Sequence, residues 1–171
     1  PISTGFVKRS GRRCSICDAQ RGFIYTGPSY GRHDRDAVFC PWCIANGDAA
    51  KRLGLVFTEW DHLNLAGVDD AVVGEVTLRT PGFTMWYDQV WTCHCGDVCE
   101  FHGVLTLAEA RKPNATALAA MLSDTITPAD WWQKFVSSYQ PGGQNQPGGQ
   151  RLIYKFVCRH CSIVLYEMEF Y

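Results

Sequence analysis

Apolar and polar positions alternate most clearly near the C-terminus. Residues 151–157 and 162–171 each carry the period-two pattern of a half-buried strand. Cys158-Arg159-His160-Cys161 lies between them as a turn. Shorter strand patterns come earlier, in Gly22 to Pro28, in Ala37-Val38-Phe39 and in Leu55-Val56-Phe57. Helical spacing predicts one helix over Ile44 to Leu53, stopped by Gly54. A second is expected over Ala71 to Arg79, capped by Asp69 or Asp70 and ended by Pro81-Gly82. His62 to Val68 reads as a loop, and Phe83 to Trp91 as extended and aromatic. Thr106-x-x-Glu109 has the form of a capping box, with helix continuing through Pro113 to Leu122. Thr127-Pro128 opens a last helix to about Tyr139. Two Pro-Gly-Gly-Gln copies between Pro141 and Gln150, with no apolar residue, read as a surface linker.

The 171 residues are enough for one domain with a real core, and 46% hydrophobic with 13% aromatic content is globular. A formal net charge of −1 gives no global field for nucleic acid or an anionic membrane. No apolar run approaches the ~20 residues of a membrane span, so no membrane partner is expected. No signal-peptide pattern opens the chain. Nine cysteines are many and odd in number, which suits metal-held thiolates better than a disulfide scaffold. A reducing cytoplasm is the expected compartment.

Most of the cysteines fall in pairs. Cys14-Ser15-Ile16-Cys17 and Cys40-Pro41-Trp42-Cys43 are C-x-x-C motifs 22 residues apart. Each makes a tight knuckle with both sulfurs facing one way, so four thiolates can surround one tetrahedral Zn²⁺. Such a closed set is structural, because catalytic zinc keeps one position for water. The rival is redox chemistry at Cys40-Pro41-Trp42-Cys43, which precedes a helix as reactive thiol pairs do. Cys158 and Cys161 need two further ligands. His94 and Cys95 are the first choice, with Gly96 permitting a tight turn, and Cys99, Cys93 and His102 are alternates. One or two zinc ions are therefore expected, and Asp97 is placed to orient a ligand or to cap a helix.

Other residues invite weaker readings. Lys8, Arg9, Arg12 and Arg13 form a basic arm, either solvated or touching phosphates. His33 beside Asp34 and Asp36 reads as a solvated loop residue. Trp86, Trp91, Trp131 and Trp132 suit a core better than a binding surface. Zinc-deaminase, H-E-x-x-H, G-x-S-x-G and phosphate-loop motifs are absent, so no catalytic or organic-cofactor residues are assigned.

Arg21-Gly22-Phe23-Ile24-Tyr25-Thr26-Gly27-Pro28 and Phe39-Cys40-Pro41-Trp42-Cys43-Ile44-Ala45-Asn46-Gly47 closely resemble the bacterial CbrC family. Arg79-Thr80-Pro81-Gly82-Phe83, Cys95-Gly96-Asp97 with Phe101 and Gly103, and the terminal pair Cys158 and Cys161 extend the resemblance over nearly the whole chain. Pro1 to Gly5 looks like the family's early segment, so about a dozen residues are expected upstream. The resemblance implies tolerance to a nuclease-type colicin under two-component control, or immunity to a secreted toxin. It carries over no catalytic residue.

The expectation is an α+β fold, a single compact domain with zinc-ribbon-like β elements and several helices. It divides into a zinc-ribbon half at 10–57, a helical middle at 69–140 and a C-terminal zinc-knuckle hairpin at 151–171. The expected function is non-catalytic binding of a protein, a toxin domain included, in tolerance or immunity. The alternatives are nucleic-acid binding, through the 8–13 arm with Arg32 and Arg35, and a thiol redox or metal-dependent enzyme.

Overall fold

Short antiparallel β elements and short helices come in separate runs along the chain, as expected for α+β. The computed structural model describes residues 4–31, 36–85, 89–123, 128, 130–139 and 152–169. His33, Arg32, Arg35, Trp86, Thr127 and the Pro-Gly-Gly-Gln segment lie outside them. Contacts group the chain into two units, Pro1–Val98 and Cys99–Tyr171.

In the first unit, β1 (Val7–Arg9) pairs antiparallel with β2 (Phe23–Tyr25). The expected basic arm is therefore partly a strand, because Val7 is buried opposite Tyr25 while Lys8 and Arg9 stay exposed. Phe39 adds only an isolated bridge to Tyr25, and Val56 one to Tyr30, where longer strands were expected. The helix expected over 44–53 is instead two, α1 (Pro41–Ala45) and α2 (Asp48–Leu53). Gly47 at φ 79° breaks it, a left-handed turn that costs an L side chain about 1–2 kcal/mol and that glycine adopts freely.

A further helix, α3 (Asp61–Leu65), stands where the sequence suggested loop. Fully buried Leu63 anchors it, and His62 accepts a 3.0 Å hydrogen bond from the Trp91 amide. The pattern was missed because five residues show too little periodicity. α4 (Asp70–Arg79) is capped by Asp69, whose carboxylate accepts from the Ala71 amide at 2.9 Å. The unit ends in a two-residue-strand hairpin, β3 (Cys93–His94) and β4 (Asp97–Val98).

The core of this unit combines cysteines with rings. Phe6, Tyr25, Phe57 and Phe39 meet edge to face in sequence, with centroids 5.5–6.2 Å apart. Cys14, Cys40 and Cys43 are buried in the same cluster.

The second unit is a three-stranded sheet in the order β5 (Glu100–Val104), β6 (Ile153–Val157), β7 (Val164–Met168). β6 and β7 pair without a slip, Ile153 to Met168 through Val157 to Val164, as the alternation predicts. α6 (Ala115–Ser123) packs on β7, beside α5 (Leu107–Arg111) and α7 (Trp131–Ser138). α5 and α6 are separate because Pro113 cannot donate within a helix; Asn114 restarts it by accepting from the Ala117 amide. The expected start at Pro128 shifts to Trp131, with Asp130 as cap residue and the Asp130–Lys134 pair at 2.6 Å one turn on. Trp131, Trp132 and Phe135 form a ring cluster against the apolar interior, and Trp91 is buried in the first unit on Phe83.

The expected capping box is present in full. Glu109 donates its amide to Thr106 Oγ1 at 3.2 Å and its carboxylate accepts from the Thr106 amide at 2.9 Å. The same carboxylate pairs with Lys155 on β6, tying α5 to the sheet. Burial pushes the Glu109 pKa up, but Lys155 and Thr106 outweigh it and hold the group at about 2. Its folded pKa is thus below the ordinary glutamate value of about 4.3, so this stabilisation is complete above that value and is lost as pH falls toward 2. Glu109→Gln is expected to lower Tm at pH 7 and to narrow the gap from wild type as pH falls to 2. Thermal unfolding across that range checks it.

Candidate metal centres

Cys14, Cys17, Cys40 and Cys43 converge, with their four Sγ atoms within 4.8 Å of one another. Cys14, Cys40 and Cys43 are buried, whereas Cys17 faces solvent. Their local backbone explains the convergence. The Cys14 amide donates to the Ala19 carbonyl, and the Asp18 amide donates back to the Cys14 carbonyl. Asp18 adopts φ 54°, which closes the turn. The Ile16 amide then points at Cys14 Sγ, 3.4 Å away. The second knuckle opens α1: the amides of Cys43 and Ile44 both reach the Cys40 carbonyl. Hydrogen bonds join the knuckles, and Cys17 Sγ lies 3.9 Å from Cys40 Sγ. The Cys40 amide donates to Cys14 Sγ at 3.3 Å, and Ser15 and Val38 exchange hydrogen bonds.

Arginines surround this first knuckle. Arg12 donates to the Asp36 carbonyl and Arg13 to that of Asp18, where it also pairs with the Asp18 carboxylate. Arg52, from α2, donates to the Ile16 carbonyl. Arg21 lies beside the Cys17 sulfur and over the Trp42 ring, 5.5 Å from its centroid. Sequence reading missed Arg21 and Arg52, because nothing in periodicity or spacing links them to the thiolates.

The electrostatics separate the four thiols. The Ala19 amide does most to draw Cys17 down to about 6, and hydrogen bonds from Cys43, Arg21 and Cys14 add to it against a burial cost. Burial and then neighbouring thiols push Cys43 up; Cys40 is pushed up by burial first. Thiolates packed this closely repel, and a divalent cation at their centre reverses that repulsion. Four sulfur donors at one point, backed by amides aimed at sulfur, fit such an ion.

The other expected ligands come in two pairs, His94 with Cys95 in the first unit and Cys158 with Cys161 in the second. In the first unit, Cys95 and Gly96 form the two-residue turn of the β3–β4 hairpin, at φ 55° and 69°. These are the two positive φ values such a turn requires. His94 Nδ1 and Cys95 Sγ lie 3.2 Å apart beside it. The Asp97 carboxylate accepts from the Val98 amide at 2.7 Å.

In the second unit, Cys158–Cys161 repeats the first knuckle bond for bond. The Cys158 amide donates to Ile163 O, the Ser162 amide to Cys158 O, and the His160 amide points at Cys158 Sγ from 3.4 Å. Ser162, at φ 60°, stands where Asp18 stands. Cys158 is buried and Cys161 exposed, as Cys14 and Cys17 are.

The alternates sit elsewhere. Cys93 is half-buried with its sulfur 3.6 Å from the Trp91 carbonyl, Cys99 is buried, and exposed His102 pairs with Glu100 at 3.4 Å.

The molecule is thus an α+β protein with a closed four-sulfur site suited to a metal ion. A family model described as an uncharacterised protein family, UPF0167, matches residues 1–170, and the chain belongs to that family. The UPF0167 protein PA1536 of Pseudomonas aeruginosa is 38% identical over 171 residues, covering 99% of this chain and 92% of that protein. The UPF0167 proteins Mb2317 of Mycobacterium bovis and MT2352 of Mycobacterium tuberculosis are each 34% identical over 172 residues, covering 99% of this chain and 89% of theirs. No solved structure is significantly similar. Among the described residues no helix is long and apolar enough to cross a membrane.

Replacing Cys14 by Ser is expected to remove one bound metal equivalent and to lower Tm steeply. Cys93→Ser should leave the metal count unchanged. Elemental analysis and thermal unfolding of both purified variants check this.

Proposed function

We propose that this is a zinc-stapled, non-catalytic interaction protein. The observation that carries it is the convergence of four cysteine sulfurs within 4.8 Å of one another, a full ligand set for a tetrahedral ion that would leave no position for water or substrate. The ion's work is then to fold the chain. Structural zinc in comparable small sites contributes on the order of 10–16 kcal/mol of coupled folding and binding.

A second zinc, held by His94, Cys95, Cys158 and Cys161, belongs to the same reading. The repeat of the Cys14–Cys17 hydrogen-bond pattern at Cys158–Cys161 supports it, because amides aimed at a buried sulfur suit a thiolate ligand. The β3–β4 turn offers one nitrogen and one sulfur in addition.

The partner in this reading is a protein, with a toxin domain as the candidate. The motifs shared with the CbrC family support a role in colicin-type tolerance or immunity in the cytoplasm. The α3 ends support a protein contact: Trp60 is 46% and Leu65 89% exposed, large apolar side chains left open to solvent.

Two measurements test the proposal. Zinc analysis should give two equivalents for wild type and one for Cys158→Ser, and an unchanged count in that variant defeats the second site. Affinity purification from the native host should recover one toxin or nuclease domain, lost on Leu65→Asp. Recovery of nucleic acid without any such protein defeats the partner reading and leaves the zinc reading standing.

A further inference from the structure

Charge is strongly segregated within the first unit. Residues 1–57 hold nine Lys and Arg against four Asp and Glu, whereas residues 58–98 hold one against seven. The near-zero net charge of the chain conceals this. The basic residues are also gathered by the fold. Arg13, Arg21 and Arg52 all engage the single turn from Ile16 to Asp18. Arg9 extends the basic surface along β1, where it is exposed and lies over Phe23 at 5.5 Å. Asp18 offsets Arg13 in part, at 3.4 Å.

One aromatic ring completes the surface. Trp42 lies between the ligands Cys40 and Cys43, yet it is 47% exposed. A tryptophan held on a metal knuckle but not buried by it has no packing reason to be so large. Arg21 covers it from one side.

We propose that the surface formed by Arg9, Arg13, Arg21, Arg52 and Trp42 binds single-stranded nucleic acid. The guanidinium and ammonium groups meet backbone phosphates, and an unpaired base stacks on Trp42. A duplex hides its base faces, so the exposed indole selects a single strand. The pre-set arginines lower the ordering cost, because backbone carbonyls already hold Arg13 and Arg52 in place. This binding goes beyond the interaction role proposed above and does not depend on the second ion.

The test is fluorescence anisotropy of labelled dT15 and rU15, titrated with the zinc-loaded full chain over a salt series. Both probes should bind, weakening as salt rises, and their ratio tells DNA from RNA preference. Trp42→Ala should weaken binding about ten-fold, with Trp42→Phe recovering most of it. Arg9→Gln should reduce the salt slope by about 0.7, the value of one phosphate contact. Zinc count and Tm of each variant confirm that the fold is kept. The proposal is overturned if neither probe binds, if Trp42→Ala binds as wild type, or if a decaglutamate peptide binds as tightly as dT15, which marks an acidic-protein surface instead.

Discussion

Four sulfurs within 4.8 Å of one another are the arrangement on which the first unit depends. Brought together as thiolates they repel, and brought together as thiols they contribute little more than small apolar groups. A central divalent cation would turn that crowding into the strongest cross-link in the unit. It would join a turn after β1 to the start of α1 across 22 residues of intervening chain. The rest of the unit is arranged to deliver and hold that point. β1 and β2 carry the first knuckle, the Ser15–Val38 exchange aligns the second, and the Phe6–Tyr25–Phe57–Phe39 rings fill the space beneath.

The arginines around the site belong to the same electrostatic problem. A Zn²⁺ ion with four thiolates carries a net charge of about −2, which must be offset near the surface of a small domain. Arg21 lies against the Cys17 sulfur, and Arg13 and Arg52 occupy the carbonyls of the same turn. Positions that settle the charge of the metal shell are thereby also positions that present cations to solvent. A structural site and a recognition surface can thus share residues, since Arg13 and Arg52 use one donor on a backbone carbonyl and keep the remaining donors for the other purpose.

The parts legible in the sequence were those set by local covalent spacing. C-x-x-C pairs, the Thr106–Glu109 box, the Asp69 cap and the β6–β7 alternation each specify a bond or a register within a few residues. The misread parts depended on neighbours far along the chain. α3 exists because Leu63 is buried, which a five-residue window does not reveal. The single helix expected over 44–53 overlooked that Gly47 takes a left-handed φ. The basic stretch at 8–13 looked like a tail, because the partners of Lys8, Arg9, Ser10 and the Arg12 side chain lie 12 to 24 residues away. Arg52 was invisible for the same reason, its partner Ile16 being 36 residues distant.

The uneven enclosure of the first site also bears on how an ion would come and go. Cys14, Cys40 and Cys43 are closed off by core packing, while Cys17 alone faces outward. A competing donor, whether chelator or another protein's thiol, would reach that sulfur's coordination bond before any other. Ligand exchange would then begin at one corner and proceed stepwise inward, so the rate of metal transfer would be governed by one surface side chain and not by opening of the interior.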